Sequence, residues 1–324
     1  MAYDSVLYLS RQNVESVGLS MHEIIVALDE MFVEKGNGKV EMPPKPGIHT
    51  QPDAFIHAMP AYIPSLASAG IKWVSGYPGN QQKGLPYISG LLVLNNPENG
   101  IPICIMDCTW VTAMRTGAAT AVAAKYLARM DSSTVGIVAC GVQGRGNLEA
   151  LSCVFDITKV RAYDKFPELS DRFSKEMGEQ LGLDIEPVTH LREAVEGMDI
   201  IVTSGPILKD PNPAIGSGWI SEGSFVCTLD FDSYLDGEAF READKLATDD
   251  LGQLGFYREE GYFSGIPECY ADLGEIASGN KLGRESERER TIAINLGLGL
   301  EDMATAIRVY QSAMDQGIGT KLPL

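Results

Sequence analysis

The sequence predicts an α/β protein, a doubly wound parallel sheet with helices on both faces, accompanied by a second domain of α+β type. Three observations carry this expectation. Between residues 134 and 229 short apolar, β-branched segments alternate with helical ones, the pattern of βαβ units. Before residue 107 the strand signals instead follow one leading helix and are punctuated by Gly and Pro. A chain of 324 residues also exceeds what one hydrophobic core usually organises, so two domains are expected.

Taken in order, Ile24, Ile25, Leu28, Met31 and Phe32 recur at helical spacing, which predicts a helix over 20–35 capped by Ser20. Segments 54–59, 70–74, 88–94 and 102–107 read as strands, the last after the turn Asn96-Pro97-Glu98-Asn99-Gly100. Residues 113–128 are rich in alanine, the best helix former, and predict a long helix. A strand at 134–139, a glycine turn, a helix at 147–155 and a strand at 159–163 make the first βαβ unit. Helices at 169–181 and 191–196 and strands at 199–204 and 224–229 continue it, and beyond Tyr270 the chain reads as helical, over 272–278 and 299–316. The preferred architecture is a dinucleotide domain inserted between an N-terminal domain and a returning C-terminal helix.

Composition narrows the function. At 44% hydrophobic and 22% charged residues the chain has the make-up of a folded globular protein rather than a disordered one. The apolar runs 101–106 and 292–300 fall short of the roughly 18 residues of a membrane span. Met1, Ala2, Tyr3 and Asp4 open no basic-then-apolar leader, so a cytoplasmic protein is expected. Forty-four acidic against 26 basic residues give a net charge of −18, which argues against nucleic-acid binding, since that depends on neutralising phosphates. Cys104, Cys108, Cys140, Cys153, Cys227 and Cys269 show no CxxC pairing and read as reduced core residues. His22, His49, His57 and His190 also lack metal-ligand spacing, so no metal site is expected.

The turn after the strand at 134–139 reads Ala139-Cys140-Gly141-Val142-Gln143-Gly144, the dinucleotide fingerprint GxGxxG with Ala139 in place of the first glycine. Gly141 lets a pyrophosphate approach the backbone, Gly144 lets helix and strand pack closely, and the helix N-terminus faces the phosphates. Asp164 ends the following strand, where a carboxylate accepts hydrogen bonds from ribose hydroxyls and repels a 2′-phosphate, favouring NAD over NADP. Lys165 beside it works against that preference.

Three cations of this acidic chain lie among apolar, Gly or Pro neighbours: Lys45 in PPKPG, Lys72 in GIKWV and Arg115 in TAMRTG. A buried cation calls for a compensating anion, either a substrate carboxylate or an internal Asp or Glu.

Residues 70–80 (GIKWVSGYPGN), 84–94, 106–129 (MDCTWVTAMRTGAATAVAAKYLAR), GVQG at 141–144, LGEI at 273–276, GRES at 283–286 and GLGLEDMATA at 297–306 together resemble the ornithine cyclodeaminase/mu-crystallin family. The resemblance runs from about Lys45 to the end of the chain. It implies a Rossmann-type NAD-binding domain over 118–296 and a substrate-binding and dimerisation domain formed by 1–117 with 297–324. By this likeness Lys45, Lys72 and Arg115 hold a substrate carboxylate, and Tyr87 stands where ornithine cyclodeaminase has a threonine near its substrate. Thr116, Gly141, Val142, Gln143, Gly144, Asp164, Lys165, Thr203 and Ser204 are the expected cofactor residues. Counting forward from Gly223 places the family's catalytic carboxylate at Asp232, with Asp230 as its competitor. The implied activity is hydride transfer at the α-carbon of a small amino acid, followed by imine formation, cyclisation and ammonia release. The alternatives are a one-step amino-acid dehydrogenase or cyclic-imine reductase, and a mu-crystallin-like binding protein without turnover. A homodimer is the implied assembly.

Overall fold

The computed structural model describes residues 4–324, so the reading of Met1, Ala2 and Tyr3 lies outside the described residues. The chain divides into two compact units, Met1–Arg115 with Leu298–Leu324, and Thr116–Gly297. The first unit opens with β1 (Ser5–Leu9), α1 (Arg11–Ser16), α2 (Met21–Gly36), β2 (Gly47–Ile48), β3 (Phe55–Ile63), β4 (Ser68–Gly76), β5 (Ile88–Asn95) and β6 (Pro102–Asp107). Helix α3 (Thr109–Leu127) carries Arg115 of this unit and continues into the second. There follow β7 (Thr134–Val138), α4 (Val142–Ser152), β8 (Lys159–Tyr163), α5 (Pro167–Leu181), β9 (Ile185–Pro187), β10 (Ile200–Thr203) and β11 (Phe225–Thr228). The second unit closes with α6 (Gly237–Arg241), β12 (Lys245–Thr248), α7 (Leu251–Glu259), β13 (Ala271–Asp272), α8 (Leu273–Ala277) and β14 (Thr291–Ile294). Helix α9 (Gly299–Gln316) and β15 (Thr320–Pro323) return to the first unit.

The first unit is built on a seven-stranded sheet in the order β15-β1-β6-β5-β4-β3-β2, antiparallel except where β1 runs parallel to β6. Side chains alternate across it with period two. Met59, Lys72, Val74, Leu92, Leu94, Cys104 and Met106 are buried on one face, and α9 packs on β3 and β4 with α2 behind it. Serine caps explain where the helices start: Ser20 accepts from the Glu23 amide, and Glu23 answers with its side chain on the Ser20 amide at 2.8 Å.

All eight strands of the second unit's sheet are parallel, in the order β13-β12-β14-β11-β10-β7-β8-β9. From β7 the chain moves outward through β8 and β9, then returns to add β10 on the other side. The order therefore reverses between β7 and β10, and ligands of such sheets bind at the carboxyl ends beside that reversal.

Several local expectations are corrected. The segment 191–196 is a 3-10 turn, Leu191–Ala194, rather than a helix. Helix α4 begins at Val142, ahead of the expected 147, because Gly144 and Gly146 depress helix propensity in its first turns without stopping it. Beyond Tyr270 the chain is not purely helical: β14 lies between β11 and β12, and its four buried residues show no alternation to betray a strand. Cys153 is exposed, not a core residue. Among the described residues no helix is long and apolar enough to cross a membrane.

Candidate active site

In the second unit, the fingerprint turn leaves β7 through Ala139, which takes a left-handed φ of 74°. The alanine thus adopts the conformation glycine normally supplies there, at a cost of roughly 1 kcal/mol. The turn is held by the Ala139 amide donating to the Tyr163 carbonyl at 2.8 Å and by the Ser204 hydroxyl donating to the Ala139 carbonyl at 2.9 Å. A Cβ on Gly144 would stand 2.6 Å from the Ala139 carbonyl oxygen, so only glycine allows this strand-to-helix approach. At Gly141 a Cβ would meet nothing within 4 Å, which leaves open space over the turn. Gly141 caps α4 without a side-chain hydrogen bond, so the first-turn amides are left to a ligand. Val142 is exposed at the same helix end. The Gln143 side-chain oxygen is buried there with no hydrogen-bond partner.

Asp164 receives the Cys140 amide at 2.8 Å and the Phe166 amide at 3.0 Å, which fixes the carboxylate at the end of β8, with Lys165 exposed beside it. Thr116 lies on α3 where that helix crosses α4, one residue before Gly117, whose Cβ would stand 2.3 Å from the Gly146 carbonyl oxygen. These residues fit a dinucleotide: an uncapped helix end and an open turn for the phosphates, and a fixed acid for the ribose.

The loop after β11 carries both candidate acids. Asp230 is fully buried; its two oxygens accept from the Thr203 hydroxyl at 2.8 Å and the Gly205 amide at 2.9 Å. Burial pushes its carboxyl up to about 7 despite those hydrogen bonds. Phe231 next to it has a φ of 61°, uncommon for a bulky residue, and packs on Tyr257, Tyr262 and Phe263. That anchored, strained residue separates the two acids. Asp232 is half-buried, accepts from the Phe263 amide at 3.0 Å, and keeps its Oδ1 without a partner. Burial raises its carboxyl as well. It lines a cavity of about 400 Å³ together with Lys209, Asp210, Asp236 and Tyr262. Tyr234 lies within electrostatic reach of Asp230, Asp164 and Cys140, and burial lifts its phenol to about 12. The expected residues Thr203 and Ser204, the fingerprint and Asp230 are thus gathered at one edge of the parallel sheet.

The first unit gathers the cations. Lys72, on β4, is 1% exposed, and its ammonium lies 2.7 Å from Asp302 and 3.4 Å from the Thr112 hydroxyl. Arg115 donates to Glu301, and its Nε lies 3.2 Å from Asp302 Oδ1. Lys45 is also buried; with Lys72 and His49 it adds to the burial that pushes the His57 imidazole down to about 3. Of the two anions that the sequence left open for these cations, the internal one is present for Lys72 and Arg115. Glu301 and Asp302 were missed as site residues. The available signal was two adjacent acids inside the otherwise apolar, helical GLGLEDMATA segment. Tyr87 directly precedes β5, and its carbonyl accepts from the Tyr77 amide at 2.9 Å.

The model of the ornithine cyclodeaminase/mu-crystallin family matches residues 6–317. The chain belongs to this family. The alanine dehydrogenase of Archaeoglobus fulgidus is 37% identical over 98% of both chains. Among solved structures, Thermococcus litoralis Δ1-pyrroline-2-carboxylate reductase in complex with NADH and L-proline superposes with a TM-score of 0.88 at 37% identity, covering 98% of this chain and 100% of that one. An archaeal alanine dehydrogenase dimer with bound NAD matches with a TM-score of 0.88 at 36% identity, over 98% of this chain and 99% of that one. With relatives of this kind along its whole length, the chain is an enzyme of the ornithine cyclodeaminase/mu-crystallin family.

Proposed function

We propose that the chain is an NAD-dependent oxidoreductase that interconverts a small α-amino acid, or a cyclic one, with the corresponding imine, one hydride transfer per turnover. The observation that carries this reading is Asp232, a half-buried carboxyl on the loop after β11 that lines a cavity and whose Oδ1 is buried without a hydrogen-bond partner. A group so placed, with its proton affinity raised by burial, takes the proton from a substrate amine in one direction and returns it in the other. Asp230 lies behind it, tied to Thr203 and Gly205, and keeps the loop in place. Bound NAD supplies the hydride chemistry at the α-carbon. Gly141, Val142, Gln143 and Gly144 hold its pyrophosphate, Asp164 its ribose, and Thr116, Thr203 and Ser204 complete the cofactor set, with Lys165 at its edge. NAD is favoured over NADP because Asp164 repels a 2′-phosphate. Lys72 and Arg115, with Lys45, hold the substrate carboxylate, and the two similar enzymes named above, an alanine dehydrogenase and a pyrroline-carboxylate reductase, support a substrate of that class.

A homodimer fits the outer face of the first unit's sheet. Tyr8, Ile105, Val93 and Ile71 form one row across β1, β6, β5 and β4, and Leu91 pairs with Trp73 in the next, leaving Trp73 48% and Leu91 45% exposed. A contiguous apolar face of this kind is an association surface. Sedimentation at twice the 35.0 kDa chain mass is the expected result, and a monomer sinks this part.

Incubating the protein with L-alanine, L-proline and L-ornithine plus NAD, and with Δ1-pyrroline-2-carboxylate plus NADH or NADPH, tests the whole reading. Nicotinamide absorbance should change in step with product, faster with NADH than NADPH. Ammonia released from L-ornithine with catalytic NAD and no NADH build-up replaces it with a cyclodeaminase. No change with any substrate leaves a binding protein.

A further inference from the structure

Among the described residues of the first unit, the charged side chains that are buried are Lys45, Lys72, Arg115, Glu301 and Asp302, three cations and two carboxylates. The acids sit on the first turn of α9, where the helix dipole favours negative charge. Lys72 Nζ lies 2.7 Å from both oxygens of the Asp302 carboxylate, and Arg115 Nε lies 3.2 Å from its Oδ1, so one carboxylate faces two cations carried by different elements. Glu301 takes the far side of the Arg115 guanidinium through Oε2, while its Oε1 is buried without a partner. Buried ion pairs are poor stabilisers, since apolar residues of similar volume often do as well or better. Their presence here is better explained by what the cations do.

We propose that Glu301 and Asp302 are positioning residues that hold Lys72 and Arg115 as a fixed cation pair for the substrate carboxylate. The inference rests on the carboxylate role of Lys72 and Arg115 proposed above.

Its signature is a pH dependence. Lys72 is faced by Asp302 from α9, by Arg115 and Thr112 from α3, by Cys108 just ahead of α3, and from β3 by His57, which also feels Lys45 and His49. Burial and Arg115 draw the Lys72 ammonium below its ordinary range, and Asp302 opposes them. Removing the Asp302 charge lowers it further, so Lys72 loses its proton, and its hold on the carboxylate, as pH rises.

The test is calorimetric binding of L-proline, with L-alanine as a second probe, to NADH-saturated protein at about pH 6 and about pH 8.5. Asp302→Asn should weaken binding roughly 10-fold or more at the higher pH and clearly less at the lower, with NADH affinity unchanged and Asp302→Glu restoring most of the loss. Where Asp302→Asn does not fold, Glu301→Gln gives the measurement, a smaller loss by way of Arg115. Arg115→Lys, which keeps the charge but not the planar fork, serves as control. If Arg115→Lys weakens binding while the acid variants bind as wild type, or lose affinity equally at both pH values, the positioning role is overturned and the carboxylate reading stands. If Arg115→Lys has no effect, or neither probe binds the wild-type protein, the carboxylate reading falls and the inference with it.

Discussion

The two groups of buried charge solve the same problem in opposite ways. In the first unit Lys72 and Arg115 are matched by Asp302 and Glu301 within a few ångströms, so charge answers charge. On the loop after β11, Asp230 and Asp232 have hydroxyl and amide donors only, and burial raises both carboxyls. In the first arrangement the partners oppose burial, which draws the Lys72 ammonium down and the Glu301 carboxyl up. The second suits a group that must take up a proton and release it.

The largest expected effect tests the proton-carrying half. Asp232→Asn keeps shape but cannot exchange a proton, so turnover should fall by roughly 10²- to 10⁴-fold while NADH affinity measured by fluorescence stays nearly unchanged. Full activity in this variant moves the role to Asp230 and erases the contrast between an inner and an outer acid. The charge-matched half is tested by Arg115→Lys, which should raise the Michaelis constant for the amino acid about 10-fold with a smaller change in kcat. A loss confined to kcat counts against carboxylate binding.

The smallest effect sharpens the comparison through stability. The folded Asp230 carboxyl keeps its proton up to about 7, whereas the unfolded chain gives it up near about 4. Between those values the folded state binds more protons, so this group makes stability fall as pH rises, by at most about 1.4 kcal/mol per pH unit. Asp230→Asn should flatten that part of a plot of thermal midpoint against pH. An unaltered slope means that Asp230 is ionised in the fold.

Much of the second unit was legible because its signals are local. The glycine turn with Asp164 after the next strand, and the alternation of apolar strands with helices, are all contained within windows of a few tens of residues. Strand β14 was not legible: four residues buried on both faces look the same in a strand or in a helix segment. Ala139 stands where the fingerprint has its first glycine, yet the backbone takes the left-handed conformation without glycine, held by Tyr163 and Ser204.

By itself the sequence determined the periodicities that set the elements, the fingerprint turn, and which cations sit among apolar neighbours, because each is written in residues close along the chain. Only the tertiary structure decided which anions those cations meet. Lys72 and Asp302 are separated by 230 positions, and no spacing rule links them. They meet because α9 returns to pack on β4, and a buried ammonium with a carboxylate brought that close gains more by pairing than either could alone in an apolar interior.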